Sequence, residues 1–160
     1  MKIALTGHSN GLGQALFEFL SQKYKVIGFS RSNGYDIKNP FDRGKIIKES
    51  KDCDIFINLV HNYYHQTDLL LELHKSWKGL QKYIINIGTS AVDNEKFGIG
   101  DYQMLEYKVQ KTTIVDMITT LKTSFQYPIL KLYVISEINF DKDISNLNSI
   151  IENDCQLSKT

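Results

Sequence analysis

The most constraining feature of the chain is a glycine-rich stretch that joins two segments of different periodicity. The run "KIALT" is apolar and leads directly into "GHSNGLG", which contains Gly7, Gly11 and Gly13. After Gly11 the apolar residues recur with the period of an amphipathic helix. They are Leu12, Ala15, Leu16, Phe19 and Leu20. Because "KVIGF" at 25–29 has the composition of a second strand, the first 29 residues predict a strand–turn–helix–strand unit.

A glycine turn between a strand and a helix is suited to binding phosphate. The helix N-terminus presents free N–H groups and the positive end of the helix dipole, and both attract an anion. We expect Gly11 to let the backbone approach a pyrophosphate and Gly13 to let the helix pack against the strand. A plain tight turn is the alternative, and the clean amphipathic helix that follows the glycines weakens it.

The rest of the chain alternates between continuous apolar runs and helical patterns. Strands are predicted at 54–60, 82–88 and 129–135, the last with Pro128 as its entry. Helices are predicted from about Thr67 to Trp77, and from a cap at Asp101 to about Lys122. This alternation predicts an α/β fold: a three-layer, Rossmann-like, doubly wound parallel sheet of about five to six strands.

Two segments depart from this regular alternation. Only "RSNG" lies between "VIGFS" and "YDI", which is too short for a crossover helix, and Asn33-Gly34 is a hairpin turn signal. We therefore expect "YDI", residues 35–37, to be a strand stub beside the sheet or one arm of a small hairpin. The polar tail at 136–160 is expected to hold one short helix, marked by Ile144, Leu147 and Ile151.

Composition excludes several classes of protein. The length of 160 residues predicts a single domain over 1–160, and the net charge of +1 argues against nucleic acid or an anionic membrane as a partner. The chain lacks a signal-peptide pattern and a long apolar run, so a cytoplasmic location is expected. Cys53 and Cys155 are isolated and predict no disulfide, while His61 and His65 lack a third ligand, so no metal site is expected.

Tyr107 and Lys111 are spaced as Y-x-x-x-K in the long predicted helix. Residues four apart share a helical face, so the phenol and the ammonium are expected to point into one cleft. A nearby ammonium favours the phenolate, as a general acid for carbonyl reduction near neutral pH requires. The alternative is a half-buried tyrosine beside a solvated lysine.

The glycine spacing T-G-x-x-x-G-x-G at residues 6–13 and the Tyr107–Lys111 pair after "YIINIG" together resemble the short-chain dehydrogenase/reductase family, over about residues 1–135. The resemblance implies hydride transfer between a nicotinamide and a carbonyl or alcohol carbon of a small molecule. It implies that Tyr107 donates the proton and that Lys111 binds the nicotinamide ribose. "NIGTSAV" resembles the segment whose hydroxyl orients the substrate oxygen, and it leaves Thr89 and Ser90 as alternatives.

The resemblance also implies a set of cofactor-binding residues, which come from the glycine loop and from the ends of later strands. They are Gly7, Ser9, Asn10, Gly11, Leu12, Gly13, Arg31, Ser32, Asp36, Asn58 and Lys111. Arg31, with no carboxylate at the end of the second strand, favours NADP(H), with NAD(H) as the alternative. Asp36 resembles the acidic residue that meets the adenine amino group.

Several positions depart from the family pattern. In "NLVH" at 58–61, His61 replaces a glycine, and either Asn62 or Gln66 is left as the counterpart of a fourth catalytic Asn. The chain has no Pro or Gly after Pro128, so a shortened member without the usual C-terminal substrate loop is expected, with poor turnover.

Three further expectations complete the prediction from sequence. A homodimer or higher oligomer is expected to form through the helices that carry Tyr107 and Trp77. Two other functions stay open: a non-catalytic NAD(P)-binding sensor or regulatory protein, and a nucleotide-sugar epimerase or dehydratase that reuses the Tyr–Lys pair.

Overall fold

The computed structural model describes residues 1–125, 130–135 and 140–155. In these residues five parallel strands form one sheet in the order β2-β1-β3-β4-β5. The strands are β1 (Lys2–Thr6), β2 (Lys25–Phe29), β3 (Ile55–Asn58), β4 (Tyr83–Ile87) and β5 (Lys131–Ile135). All four pairings are parallel, so the predicted Rossmann-like doubly wound sheet is confirmed.

Helices cover both faces of this sheet. They are α1 (Gly11–Ser21), α2 (Pro40–Glu49), α3 (His65–Trp77), α4 (Tyr102–Ser124) and α5 (Phe140–Ser149). One face packs against Leu16 of α1 and Leu147 of α5, and the other against Ile46, Leu70 and Ile114 of α2, α3 and α4. None of the helices in the described part of the chain is long and apolar enough to span a membrane.

Burial on both faces explains why the strands are continuously apolar. In β3, Ile55 and Ile57 join the cluster beneath α1, whereas Phe56 joins the cluster beneath α3, and all three are fully buried. Because successive side chains of a strand point to opposite faces, a strand covered on both sides needs an apolar residue at every position.

The segment at 35–37 is not a strand, so the prediction of a stub or hairpin there is wrong. A 3₁₀ turn over Arg31–Asn33 follows β2 and ends at Gly34, whose φ is +89°. The crossover helix exists as α2, which begins after this segment because the Asn39 side chain accepts a hydrogen bond from Phe41 N and Pro40 takes the first helical position.

The end of the chain supports the sheet from the α1 side. Helix α5 is continued by a π-helical turn over Ile150–Cys155, and both Leu147 and Ile151 are buried against the sheet. A helix in the tail is thus confirmed. The side chain of Ile144 and the predicted strand entry at Pro128 lie outside the described residues.

Candidate nucleotide-binding site

A cavity of about 600 Å³ lies at the carboxyl ends of three neighbouring strands. The chain leaves β1 for β2 on one side and later returns to β3 on the other side of β1, which makes this the switch point of the sheet. The cavity is lined by Gly7, Ser9, Asn10, Phe29, Ser30, Arg31, Ser32, Tyr35, Asp36, Ile37, Val60, His61 and Asn62. Open α/β sheets bind their ligands at such a crevice.

Close packing inside the glycine loop requires two of its glycines. A Cβ on Gly13 would lie 1.9 Å from the carbonyl oxygen of Gly7, so helix α1 touches the loop backbone directly. Gly7 has a φ of +81°, and a Cβ there would lie 2.7 Å from Cγ2 of Val60. The loop is held to the sheet by a hydrogen bond of 2.7 Å from Gly7 N to Phe29 O.

The start of helix α1 is open toward a ligand. Asn10 occupies the cap position without a side-chain cap hydrogen bond, and the first turn contains no acidic residue. Gly11 has a φ of +53°, and a Cβ there would meet no atom within 4 Å. The first-turn N–H groups and the helix dipole thus make this end of the cavity favourable for an anion.

Thr6 connects the loops that follow β1 and β3. Its side chain is fully buried, and its Oγ1 accepts hydrogen bonds from Leu59 N at 2.9 Å and Val60 N at 3.3 Å. Thr6 therefore fixes Val60, a cavity residue, relative to the glycine loop. The sequence indicates Thr6 only as part of the glycine pattern, because its hydrogen-bond partners lie more than fifty residues away.

The turn after β2 presents Arg31, Ser32 and Asp36 to the cavity. The Asn33 side chain shapes this turn, because its Oδ1 accepts a hydrogen bond from Ser30 N and its Nδ2 donates to Gly28 O. Arg31 is exposed, and Asp36 Oδ1 accepts a hydrogen bond from Lys38 N at 3.0 Å. Among the described lining residues, Arg31 is the one arginine or lysine and Asp36 the one carboxylate.

A buried arginine supports the wall beside Asp36. Arg43 of α2 forms a bidentate ion pair with Glu72 of α3, and its Nη1 donates to Ile37 O at 2.8 Å. Ile37 is buried and contributes apolar surface to the cavity together with Phe29. The sequence did not indicate a role for Arg43, because helix α2, on which this residue lies, was not predicted.

Tyr107 and Lys111 share a face of α4, as the spacing predicted, but neither lines the cavity. Asp101 caps this helix by accepting hydrogen bonds from Gln103 N and Met104 N, also as predicted. The Tyr107 ring meets the His61 ring edge to face, with centroids 4.9 Å apart, and Lys111 Nζ lies 6.0 Å from the Tyr107 centroid. His61 thus lies in contact with both the cavity and Tyr107.

Lys111 is buried in a polar network that links α4 to the sheet. Only 3% of its surface is exposed, and its Nζ donates to Gln66 Oε1 and to Ile87 O, both at 3.0 Å. Gln66 Nε2 in turn donates to Asn58 O at 2.8 Å. Of the two candidates for a fourth polar residue, Gln66 contacts Lys111 and Asn62 lines the cavity.

Asn58, which the family resemblance placed at the cofactor, is fully buried away from the cavity. Its Nδ2 donates to Gln66 O and to Asn86 Oδ1, both at 2.9 Å. It therefore joins β3, β4 and the start of α3.

The two candidate hydroxyls follow β4. Thr89 Oγ1 accepts a hydrogen bond from Ala91 N at 3.3 Å and caps the 3₁₀ turn over Ser90–Asp93, whereas Ser90 is exposed. Neither hydroxyl lines the cavity. The remaining loop residues, Gly11, Leu12 and Gly13, form the first turn of α1, directly after the lining residues Ser9 and Asn10.

The two histidines that are four residues apart lie on different elements. His65 Nδ1 lies 3.0 Å from Asp68 Oδ2 at the start of α3, whereas His61 lies in the preceding loop. Within the described residues there is no group of three or more His, Cys, Asp or Glu that could hold a metal ion.

No family model and no curated protein matches this sequence. Solved structures do match. A 3-alpha-hydroxysteroid dehydrogenase from Pseudomonas sp. B-0831, complexed with NADH, is 17% identical with a TM-score of 0.75, over 94% of this chain and 88% of that one. A short-chain dehydrogenase from Burkholderia cenocepacia J2315, in complex with NADP, is 15% identical with a TM-score of 0.67, over 84% and 70%.

A third similar structure is an oxidoreductase of the short-chain dehydrogenase/reductase type from Brucella ovis. It is 16% identical with a TM-score of 0.66, over 96% of this chain and 92% of that one. The likeness extends over nearly the whole sheet and its helices. This chain therefore has the fold of the short-chain dehydrogenase/reductases.

Proposed function

We propose that this chain is an NADP(H)-dependent oxidoreductase of the short-chain dehydrogenase/reductase type, which transfers a hydride to or from a carbonyl or alcohol carbon with Tyr107 as general acid and base. The observation that carries the proposal is the switch-point cavity, in which a glycine loop and an open helix start face one arginine. Similar folds were solved with NADH and with NADP, which supports a nicotinamide cofactor here.

The described residues fit such a dinucleotide at its adenosine and phosphate end. The start of α1 provides N–H donors for a pyrophosphate, and Phe29, Ile37 and Val60 provide apolar surface for a flat base. Arg31 lines the cavity and is the residue proposed to pair with a 2′-phosphate, whereas Arg43, the second arginine of the chain, pairs with Glu72.

In the proposed mechanism the cofactor, when bound, supplies or takes up the hydride. Tyr107 gives a proton to the substrate oxygen during reduction and removes it during oxidation. Lys111 places a positive charge next to the Tyr107 ring, which offsets the negative charge that develops when the phenol loses its proton. The hydroxyl of Thr89 or of Ser90 orients the substrate oxygen.

Cofactor titrations test the choice of NADP(H). Wild type, Arg31→Ala and the control Lys38→Ala, which removes an exposed cation outside the cavity, are titrated with NADPH and NADH by fluorescence. A charged hydrogen bond is worth about 1.5–3 kcal/mol, so Arg31→Ala should weaken NADPH roughly 10- to 150-fold and leave NADH nearly unchanged. Equal affinities of the wild type for both cofactors would overturn the NADP(H) preference.

Catalysis is tested separately from binding. Oxidation of NADPH is followed over a panel of small ketones and aldehydes with wild type, Tyr107→Phe and the control Tyr102→Phe. Tyr102 lies on the same helix and is 86% exposed. Loss of turnover in Tyr107→Phe alone, with NADPH affinity retained, supports the assigned role. Equal turnover in the two variants would refute it.

A non-catalytic NAD(P)-binding sensor or regulatory protein is the second candidate, and one observation favours it. His61 and Asn62 line the cavity but Tyr107 does not; its ring contacts the His61 ring, and Lys111 is hydrogen bonded to Gln66 in the interior. A sensor binds NADPH, shows no turnover on the carbonyl panel and keeps its affinity in Tyr107→Phe.

The proposal includes assembly into a homodimer or larger species. Helix α4 exposes Tyr102, Leu105 and Val109 along one side, the last with 55% of its surface accessible. Burial of such residues against a second copy would provide the apolar contact expected of an interface. Sedimentation of the wild type and of Val109→Glu tests this assembly, and a wild type that sediments as a monomer would exclude it.

A further inference from the structure

His8 belongs to the glycine loop, but its side chain does not line the cavity. Its neighbours in the chain, Gly7 and Ser9, both line the cavity, whereas His8 does not. Its half-buried ring lies beside the ring of Phe17 in α1, with centroids 5.2 Å apart. Nδ1 is buried and has no hydrogen-bond partner among the described residues, so the ring is held by packing rather than by a hydrogen bond at this atom.

Gly28 of β2 is the residue against which this ring packs. A Cβ on Gly28 would lie 2.3 Å from Cγ, 2.6 Å from Nδ1 and 2.7 Å from Cδ2 of His8. Because Cγ joins the ring to the rest of the side chain, rotation of the ring about its own bond cannot remove the overlap. The imidazole therefore occupies the space that a side chain at position 28 would need.

The same glycine supports the turn that carries Arg31. The carbonyl oxygen of Gly28 accepts a hydrogen bond from Asn33 Nδ2 at 2.9 Å, and Asn33 shapes that turn. The glycine loop also contacts the next residue of β2, through the hydrogen bond from Gly7 N to Phe29 O. The end of β2 thus connects two parts of the cavity wall, the glycine loop and the turn with Arg31.

A nucleotide with two separate phosphate positions needs these two parts at a fixed distance. In the proposed function the start of α1 binds the pyrophosphate, and Arg31 binds the 2′-phosphate of the same adenosine. A ligand with only the first group can follow a displaced loop, whereas a ligand with both groups cannot satisfy the two contacts together. Affinity that depends on groups already in position is lost when one of them moves.

We infer that His8 is a positioning residue, whose ring on Gly28 fixes the glycine loop relative to the turn with Arg31 and so sets the preference for a nucleotide with a 2′-phosphate. The inference rests on the proposed function. It gives His8 no contact with the cofactor and no part in proton transfer.

Three ligands measure this preference by calorimetry. NADPH and NADH differ only in the 2′-phosphate, and 2′,5′-ADP contains only the adenosine half with its 2′-phosphate. They are titrated into wild type, His8→Ala, His8→Phe, Gly28→Ala and the double variant His8→Ala/Gly28→Ala. The control His74→Ala removes a buried histidine outside the cavity and reports the effect of lost stability alone.

The expected results have a distinctive pattern. His8→Ala weakens NADPH and 2′,5′-ADP roughly tenfold, as the loss of one charged hydrogen bond requires, and weakens NADH less than about threefold. His8→Phe keeps a flat ring on Gly28 and retains most of the preference. Gly28→Ala displaces the ring and loses as much of the preference as His8→Ala, but adding it to His8→Ala has little further effect, because the ring is already gone. His74→Ala leaves the preference unchanged.

Contrary results are separable from one another. Gly28→Ala keeps the imidazole, so the test does not depend on whether His8→Ala folds. A wild-type preference for NADPH in Gly28→Ala or in folded His8→Ala would overturn the inference while leaving the proposed function intact. An equal loss of affinity for NADPH and NADH would assign His8 a general structural role, and additive losses in the double variant would deny the contact with Gly28; either would overturn it. A wild type that binds neither cofactor, or both equally, would overturn the proposed NADP(H) dependence, and the inference with it.

Discussion

The contact between Gly13 and Gly7 allows the same substitution to be compared at two helical glycines. In Gly13→Ala the new Cβ would lie 1.9 Å from Gly7 O, against 3.4–4 Å for ordinary contact. The carbonyl belongs to the backbone, so helix α1 and the loop must separate by about 1.5 Å. In Gly44→Ala, within α2, the new Cβ meets nothing within 4 Å.

The free energies follow from this difference in space. Overpacking that forces a backbone shift costs about 1–3 kcal/mol, and weakening the hydrogen bond from Gly7 N to Phe29 O adds about 1 kcal/mol. Replacement of a helical glycine by alanine raises the free energy of unfolding by about 1 kcal/mol at either site, through helix propensity alone. We therefore expect Gly13→Ala to destabilise the protein by about 1–3 kcal/mol and Gly44→Ala to stabilise it by about 1 kcal/mol.

Urea unfolding followed by circular dichroism measures both changes. With a urea dependence of about 2 kcal/mol per M, the midpoint should fall by about 0.5–1.5 M in Gly13→Ala and rise by about 0.5 M in Gly44→Ala. Folded Gly13→Ala should also bind NADPH more weakly, since the displaced loop is the proposed phosphate site. A midpoint for Gly13→Ala at or above that of wild type would refute the packing argument.

Four further predictions concern other residues of the fold. Gly11→Ala should cost about 1–2 kcal/mol by backbone strain alone, as measured by urea unfolding, because its φ is +53° although the space is open. Thr6→Val should cost about 1–3 kcal/mol in the same assay, because Leu59 N and Val60 N lose their acceptor. Arg43→Met should cost about 2 kcal/mol and weaken 2′,5′-ADP, because Glu72 and Ile37 O lose their donor. Burial lowers the pKa of His74 below its usual 6.5, so in acid the unfolded chain binds more protons at this residue than the folded protein does. The free energy of unfolding should therefore fall as the pH drops below about 6.5. If the pH dependence of the free energy of unfolding is the same in His74→Phe as in wild type, this assignment is contradicted.

Local sequence was sufficient to predict most of the fold. The glycines between a strand and an amphipathic helix, the apolar runs at β3, β4 and β5, and the cap at Asp101 each act through neighbours a few residues away. Such signals are present in the sequence because dihedral preferences, helical periodicity and capping are local. Helix α2 was missed although its start at Asn39-Pro40 is also a local signal. The hairpin signal of Asn33-Gly34 and the strand-like run "YDI" directly precede it, and they were given more weight.

The same difference between local signals and distant contacts applies to the candidate site. The sequence could predict that the glycine loop and Arg31 lie near one another, because they follow strand ends that meet at one edge of a parallel sheet. The contacts of Thr6, Asn58 and Lys111 could not be predicted, since their partners are distant in sequence and are chosen by burial. Asn58 was predicted at the cofactor, and packing instead turned it toward Gln66 and Asn86.

The sequence by itself determined the five strands of the sheet, the position of the glycine-rich turn before α1 and the shared face of Tyr107 and Lys111, because each depends on the local pattern of one element. Only the tertiary structure decided which of these side chains reach the cavity. It turned Lys111 inward to Gln66 and Ile87 O, and it placed the His61 ring between the cavity and Tyr107. The physical reason is that a buried polar group must find its partner wherever the folded chain offers one, and no period in the sequence specifies that partner.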